Sequence, residues 1–258
     1  MQPSNAYTVG FAAAICVVAS IFVSGSAVAL KDRQDANKLL DRQKKVLLVA
    51  GLMEEGEKLS PEQIQSIYGE RIVPKSIDMK TGEPVDDVDI ASYDMKKFST
   101  DPATSYEIEE NVAKVKRLPE DVLVYEVTND AGGVDQLILP ISGPGLWSTL
   151  RGYVSLSTSD YNTVKGLIFY SHAETPGLGG EIDNPGWKAK WPGRKIFNDK
   201  GEVAIRVVKG AAGSVSEAPH AVDGLSGATL TSNGVTKTLQ FWLGDEAFGP
   251  FLDRVKGS

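Results

Sequence analysis

Asp223-Gly224-Leu225-Ser226-Gly227-Ala228-Thr229, followed by Leu230-Thr231-Ser232-Asn233-Gly234-Val235, joins a loop of small residues to a helix. The helix is predicted because apolar residues recur at helical spacing and share one face. These residues are Val235, Leu239, Trp242 and Leu243. We therefore expect a glycine-containing loop that ends at the N-terminus of an amphipathic helix.

Hydroxyl side chains crowd the start of this helix, at Ser226, Thr229, Thr231 and Ser232. Free N–H groups and the positive end of the helix dipole favour a phosphate at such a place. Glycine lets a ligand approach the backbone closely. Serine and threonine before an apolar run are also ordinary helix caps. From the residues alone, a phosphate site and a simple cap both remain open.

Composition narrows the class of protein. The chain has 258 residues and a net charge of −7, which argues against a surface that neutralises nucleic-acid phosphates. It contains one cysteine, Cys16, and two histidines, His172 and His220. An internal disulfide is impossible, and we expect no metal site in this chain. The Gly-x-Ser-x-Gly motif of many hydrolases is absent.

Residues 6–30 contain no charged side chain. Such a helix is long enough to cross a hydrocarbon core of about 30 Å. We predict a retained transmembrane helix at 6–30, preceded by an N-terminal tail at 1–5. A cleaved signal peptide is the alternative, because Ala27-Val28-Ala29 resembles a cleavage site. The missing positive n-region and the long apolar run argue against cleavage.

The charges that flank the apolar segment bear on which side of the membrane the globular part lies. No Lys or Arg precedes the apolar segment, whereas Lys31, Arg33 and Lys38 follow it. The positive-inside rule taken alone therefore places the globular part in the cytoplasm.

After the membrane segment we predict a charged helix or connector at 31–52, stopped by Gly51, and a globular domain at 53–258. Ser60 and Pro61 mark the start of a further helix. The acidic stretch 71–116 shows no clear periodicity and remains unassigned.

Strand patterns dominate the next part of the chain. Residues 122–127 and 134–141 predict a hairpin, and residues 153–157 and 164–170 a second strand pair. Residues 203–208 predict one more strand. We therefore expect an α+β fold, with a largely antiparallel sheet and flanking helices.

Two other segments carry unusual loop chemistry. Residues 172–180 (HAETPGLGG) directly follow a predicted strand, and residues 142–148 (SGPGLWS) form a turn. His172 and Glu174 suit general acid–base roles, but hydrogen bonding within the loop explains them equally simply. Trp187 and Trp191 lie four residues apart, which predicts packing on one helical face.

The pattern Asp-x-x-Ser-Gly-Ala-Thr at 223–229 resembles the flavinylation motif of proteins that carry FMN on a threonine through a phosphoester bond. Residues 143–148 and 172–179 are similar to two further segments of the same FMN-binding family. With the single N-terminal span, the whole chain resembles the NqrC family of the sodium-translocating NADH:quinone oxidoreductase. The G-type electron-transport subunit of the Rnf complex shares the span and the motif, and is the alternative.

This resemblance implies that FMN is attached covalently to Thr229. A separate, Mg²⁺-dependent flavin transferase would supply it from FAD, with attack of the Thr229 hydroxyl on phosphorus and departure of AMP. Thr229 is then a modification site, and the chain has no catalytic residue of its own. The residues expected to bind or present the flavin are Asp223, Ser226, Gly227, Ala228, Leu230, Thr231, Glu174, Thr175, Leu178, Gly179, Leu146 and Trp147.

The resemblance also implies a place in a multi-subunit complex of the bacterial inner membrane. The chain would relay electrons toward quinone from a periplasmic domain, in conflict with the charge flanks. NADH and quinone would bind other subunits, consistent with the absence here of Gly-x-Gly-x-x-Gly after a strand. A protein of another class also remains open: a membrane-anchored assembly or binding protein without flavin.

Overall fold

The long N-terminal helix is a single element. In the computed structural model, which describes residues 4–86 and 88–257, α1 spans Asn5–Ala50. The chain divides into two units, Met1–Arg42 and Gln43–Ser258. Within the described residues, α1 is the one helix long and apolar enough to cross a membrane, and its apolar window is fully exposed. The predicted segments 6–30 and 31–52 are thus continuous helix up to Gly51, whose φ of +71° suits a glycine after a helix end. Residues 1–3 of the predicted tail lie outside the described range.

The second unit is built on a six-stranded antiparallel sheet with the order β2-β1-β5-β6-β7-β8. Its remaining strands form two small two-stranded sheets, β3 with β4 and β9 with β10. The strands are β1 (Ile72–Asp78), β2 (Pro84–Val85), β3 (Ser105–Glu107), β4 (Arg117–Pro119), β5 (Asp121–Thr128), β6 (Val134–Pro144), β7 (Thr149–Ser157), β8 (Val164–Ser171), β9 (Arg206–Val207) and β10 (Ala221–Val222). The helices after α1 are α2 (Pro61–Arg71), α3 (Met95–Thr100), a 3-10 helix (Gly179–Asp183), α4 (Pro185–Lys188), α5 (Thr229–Trp242) and α6 (Gly249–Lys256).

This architecture confirms the predicted α+β class with a largely antiparallel sheet. Both predicted hairpins form, as β5–β6 and β7–β8. The predicted helix start at Ser60 is present, and Ser60 and Gln63 form a reciprocal capping box.

The strands differ from the sequence analysis at two places: one strand lies in the stretch that was left unassigned, and one predicted strand is shorter than expected. The stretch left unassigned at 71–116 contains β1, which pairs along its whole length with β5. Proline disfavours a strand because it has no backbone N–H to donate. β2 pairs only with Ser76 and Ile77, so β1 is a sheet edge at Pro74 and no N–H is required there. The strand predicted at 203–208 is only Arg206–Val207, and it pairs in parallel with β10 instead of joining the main sheet.

Helix α5 packs directly against β6 because glycines allow it. A Cβ built on Gly234 would lie 1.9 Å from the carbonyl oxygen of Pro144, and one on Gly143 would lie 2.0 Å from Thr238 Oγ1. The indole nitrogen of Trp242 donates to the carbonyl of Ser142 at 2.5 Å. The predicted apolar face of α5 is buried as expected, with Val235, Leu239, Trp242 and Leu243 at most 1% exposed. The start of α5 is thereby fixed beside the end of β6.

The end of α1 belongs to the globular unit. Val46 and Leu47 are completely buried, and Gln136 Nε2 on β6 donates to the carbonyl of Ala50 at 3.0 Å. A Cβ on Gly166 of β8 would lie 2.4 Å from the carbonyl oxygen of Val49. Residues from Gln43 onward therefore cluster with the sheet, whereas we had expected the domain to start at 53.

The close approach of α5 to β6 can be tested by substitution. Gly234→Ala forces a methyl group onto the Pro144 carbonyl, and we expect it to lower the free energy of unfolding by about 1–3 kcal/mol. Gly69→Ala in α2 is the matched control, since nothing lies near its added Cβ and it should stabilise by up to about 1 kcal/mol. Urea unfolding followed by tryptophan fluorescence measures both. Equal effects of the two substitutions would contradict this packing.

Candidate functional site

Glu174 connects the three segments that the sequence singled out. It lies on the loop after β8 and is only 5% exposed. Its Oε1 accepts a hydrogen bond from Trp147 N at 2.9 Å, and its Oε2 accepts from Leu146 N at 3.1 Å. Oε2 also accepts from Thr231 Oγ1, in the first turn of α5, at 2.5 Å. One carboxylate therefore joins the turn after β6, the loop after β8 and the start of α5.

The ionised form of Glu174 is the one that this arrangement needs. Burial raises the pKa of the carboxyl, but the hydrogen bonds from Thr231 and from the backbone of Trp147 and Leu146 outweigh burial and leave the pKa below its usual value. A carboxylate that only accepts hydrogen bonds suits three donors. Glu174 is therefore a structural anion held among N–H and O–H groups.

Two glycines make room for this carboxylate. A Cβ on Gly145 would lie 2.4 Å from Glu174 Oε1. A Cβ on Gly179 would lie 2.7 Å from Oε2 and 2.5 Å from Thr231 Oγ1. Gly179 was among the predicted site residues, whereas Gly145 was overlooked although it lies in the quoted segment 142–148. Gly145 directly precedes the predicted site residues Leu146 and Trp147, and this position could have indicated its role.

The start of α5 has no side-chain cap, so the interpretation as a simple cap was wrong. Ala228 occupies the N-cap position, and the first hydrogen bond within the helix runs from Ser232 N to Ala228 O. Ser232 Oγ instead accepts from Leu225 N at 3.2 Å within the protein. The N–H groups before Ser232 in the first helical turn have no acceptor within the helix. They are the groups that bind an anion at a helix N-terminus.

Thr229 and Thr231 differ sharply in accessibility. Thr229 is exposed at the first position of α5, whereas Thr231 is completely buried with its hydroxyl committed to Glu174. Ser226 is exposed, and Gly227, with a φ of +71°, sits so close to Leu178 that a Cβ would lie 2.9 Å from its side chain. Of the two threonines, only Thr229 presents a free hydroxyl at the surface.

Large apolar side chains stand exposed on the same three segments. They are Leu146 (48% exposed), Trp147 (70%), Leu178 (44%) and Leu230 (60%). The segments that carry them are joined by the hydrogen bonds of Glu174 and by the contact of the Leu178 side chain with Gly227. Four exposed apolar side chains on three joined segments favour a binding surface, because isolated domains rarely leave such groups in water.

The hydrogen bonds and the ion pair of Asp223 are made with residues other than Thr229. Its Oδ1 accepts from Ala212 N at 2.8 Å, its Oδ2 forms an ion pair with Lys190, and its carbonyl accepts from Trp187 Nε1 at 2.8 Å. The Ala212 N–H, followed by the Lys190 ammonium, lowers the pKa of Asp223. In this structure Asp223 therefore holds the loop before the motif and α4 in place.

The remaining predicted residues shape the loop after β8. His172 Nε2 lies 2.7 Å from Asp183 Oδ2, and its Nδ1 accepts from Glu174 N at 3.2 Å, which favours loop support over acid–base chemistry. The Thr175 carbonyl accepts from Leu178 N and Gly180 N, while its side chain is exposed. Trp187 and Trp191 pack edge to face, with ring centroids 5.4 Å apart, but they do not share a helical face because α4 ends at Lys188. Among residues 4–86 and 88–257, no group of three or more His, Cys, Asp or Glu side chains forms a metal-binding cluster.

Comparison with known proteins identifies the class of this site. Residues 145–244 match the family model of the FMN-binding domain, and this range includes Leu146, Glu174 and Thr229. The crystal structure of NqrC from Shewanella oneidensis superposes with a TM-score of 0.79 at 35% identity, covering 86% of this chain and 100% of that one. The crystal structure of the corresponding subunit of the Na(+)-translocating NADH-quinone reductase from Parabacteroides distasonis gives a TM-score of 0.66 at 31% identity, covering 86% and 96%.

Full-length relatives make the assignment more specific. The NqrC subunit of the Na(+)-translocating NADH-quinone reductase of Pseudomonas aeruginosa is 45% identical, over 99% of this chain and 97% of that protein. The same subunit of the Vibrio parahaemolyticus reductase is 46% identical, over 96% and 94%. The chain therefore belongs to the NqrC family of the Na(+)-translocating NADH-quinone reductase, an oxidoreductase complex of several subunits.

The role of the Glu174 carboxylate gives a pH-dependent prediction. Glu174→Gln replaces an acceptor oxygen by an NH₂ group that faces N–H donors, and we expect a loss of about 1–3 kcal/mol in unfolding free energy at pH 7. Because folding lowers the pKa of Glu174, the ionised carboxylate stabilises the wild type fully above the ordinary glutamate pKa of about 4.3. This stabilisation is lost as the pH falls through the pKa of Glu174 in the folded protein.

Urea unfolding of the wild type and of Glu174→Gln between pH 7 and pH 3 measures this effect. Glu109→Gln, at an exposed carboxylate, is the control and should leave stability unchanged at pH 7. A stability difference between the wild type and Glu174→Gln that stays constant over the whole pH range would contradict the assigned role.

Proposed function

We propose that this chain carries FMN covalently on Thr229 and passes electrons within the Na(+)-translocating NADH-quinone reductase, toward quinone. The observation that carries the proposal is the exposed Thr229 hydroxyl at the uncapped start of α5, inside the motif Asp-x-x-Ser-Gly-Ala-Thr. The nearby Thr231 is buried and hydrogen-bonded, which supports Thr229 as the acceptor.

The surrounding residues fit a flavin phosphate. The backbone N–H groups of Leu230 and Thr231 lie in the first turn of α5, where the helix dipole also favours a negative charge. Gly227 leaves the approach to this turn free of a side chain. A phosphoester on Thr229 would keep its anionic oxygens at this helix end.

The exposed apolar groups fit a planar ring. Leu146, Trp147, Leu178 and Leu230 would cover an isoalloxazine ring tethered at Thr229 and would lose contact with water as they do so. Glu174 would bind the ring only indirectly, by holding the backbones of Leu146 and Trp147 in position. The chain's own contribution is thus packing and orientation around the cofactor.

Attachment would use FAD as the donor and a separate Mg²⁺-dependent flavin transferase as the catalyst. Thr229 Oγ forms a bond to the phosphorus of the FMN half, the pyrophosphate P–O bond breaks, and AMP leaves. The hydroxyl proton passes to a base of the transferase. Ser226 and Thr229 are both exposed and so accessible to that enzyme. Ala228 is buried, and with Asp223 it would keep the loop in shape.

When bound, FMN accepts and releases electrons singly or in pairs. Covalent linkage would keep the cofactor on a domain that faces the periplasm, with α1 as a single-pass anchor in the bacterial inner membrane. NADH and quinone would bind other subunits, and sodium would cross through them. A flavin-free assembly protein, the other class considered, is less well supported because the match to the FMN-binding domain includes the whole motif.

The acceptor assignment is tested by mass spectrometry. We expect the denatured wild-type chain, co-expressed with an active flavin transferase, to carry one FMN adduct on the peptide that contains Thr229. Thr229→Val should remove the adduct because it removes the nucleophilic oxygen. Thr231→Val should leave any adduct on Thr229. An adduct mapped to Thr231, or retained by Thr229→Val, would contradict the assignment.

The orientation is tested with cysteine labelling, which is practical because Cys16 is the single cysteine of the chain. In a Cys16→Ser background, we expect Lys200→Cys to react with a membrane-impermeant maleimide in intact spheroplasts. Ser4→Cys, before the apolar segment, should react only after permeabilisation. The reverse pattern would place the globular unit in the cytoplasm, as the flanking charges alone suggest.

A further inference from the structure

Strand β8 is an edge of the main sheet, and most of its outer side is unpaired. Within the part of the chain that the structure describes, only its first residue has outer partners: Val164 N donates to the Arg194 carbonyl and the Val164 carbonyl accepts from Gly193 N, both at 2.8 Å. From Lys165 to Ser171, no hydrogen bond among the described residues reaches the outer backbone. An unpaired strand edge is a template for pairing with another polypeptide.

This edge forms the floor of a groove of about 730 Å³. One wall comes from the end of α1 and the turn after it, with Leu48, Val49 and Met53. The other wall comes from α4 and the residues around it, with Pro185, Ala189 and Pro192. All of these residues belong to the Gln43–Ser258 unit.

The shape of the groove suits one extended strand. A strand added along β8 would pair with the open backbone and would direct alternate side chains toward the two walls. A second copy of this chain fits poorly, because its own β8 is recessed between the same walls.

The charges of the lining specify the chemistry of the added segment. Three lysines and two carboxylates line the groove. The lysines are Lys45, Lys165 and Lys188, and the carboxylates belong to Glu55 and Asp183. Glu55 already pairs with Lys188 at 2.5 Å, and Asp183 pairs with His172 at 2.7 Å. Lys165 lies 4.0 Å from its only described carboxylate, on Asp135, and Lys45 forms no ion pair among the described residues. The lining therefore has an excess of positive charge that an acidic side chain would balance.

We propose that an extended, acidic segment of another subunit of the same complex adds to β8 as a seventh strand. Its backbone would pair with Lys165–Ser171, its apolar side chains would contact the two walls, and its acidic group would lie near Lys45 and Lys165. The proposal rests on membership of the multi-subunit family and not on flavin attachment.

Hydrogen–deuterium exchange tests the pairing with the wild-type protein. We compare the purified full-length chain with the same chain in the purified, intact reductase complex, in the same detergent. Amides within 165–171 should exchange at least about tenfold more slowly in the complex, because their outward N–H groups gain partners. The turn around Gly201 is the internal reference and should exchange equally in both samples. Equal exchange at 165–171 would overturn the proposal.

Charge reversal tests the chemistry of the partner segment. Lys45→Glu combined with Lys165→Glu should weaken retention of this chain in the complex by about tenfold or more, and most strongly at low salt. Lys200→Glu, outside the groove, should have no effect. Retention of the double variant equal to that of Lys200→Glu would overturn the acidic character assigned to the segment. Covalent flavin content, measured in parallel, tests the proposed function separately, since the groove does not include Thr229.

Discussion

The candidate site depends on the hydrogen bonds that the buried carboxylate of Glu174 accepts. This carboxylate accepts hydrogen bonds from two backbone N–H groups and from the Thr231 hydroxyl, and these donors come from segments far apart in sequence. The interaction is nearly shielded from water, so leaving any of the three donors unpaired would cost about 1–3 kcal/mol. Gly145 and Gly179 are required because any larger residue would occupy the space of the carboxylate.

The hydrogen bond from Thr231 to Glu174 also makes Thr229 and Thr231 differ in accessibility. Thr231 is turned inward to Glu174, and Thr229, two residues earlier on the helix, is left at the surface. Since α5 is fixed against β6 by the close contacts of Gly143 and Gly234, the position of Thr229 is set by the sheet itself. A rigid scaffold thus presents one exposed hydroxyl among exposed apolar side chains, which suits the tethered planar cofactor that we propose.

The sequence signals that define the candidate site are local. The apolar spacing of α5, the hairpins and the three loop segments could all be recognised from neighbouring residues. The sequence could not show that Thr231 points to Glu174, since that contact joins residues 57 positions apart. Asp223 likewise belongs to the motif, yet its partners are Ala212 and Lys190, which no pattern connects to it.

The features that the sequence analysis did not assign have the same physical origin. Pro74 argues against a strand, but β1 tolerates it because that part of β1 is a sheet edge, a fact decided by where β2 ends. Residues 43–50 were grouped with a connector because they continue a charged helix, although their burial against the sheet assigns them to the globular unit. The groove beside β8 could not be predicted either, since its walls come from segments more than 100 residues apart in the chain.

The most direct test of the account is the rate at which FMN is incorporated in vitro. Purified flavin transferase, FAD and Mg²⁺ are incubated with the wild-type chain, Glu174→Gln and the control Glu109→Gln, all verified as folded. The account predicts that Glu174→Gln reacts at least about tenfold more slowly, because Thr229 is no longer held for transfer, while Glu109→Gln matches the wild type. Equal rates for all three would contradict the claim that Glu174 organises this site.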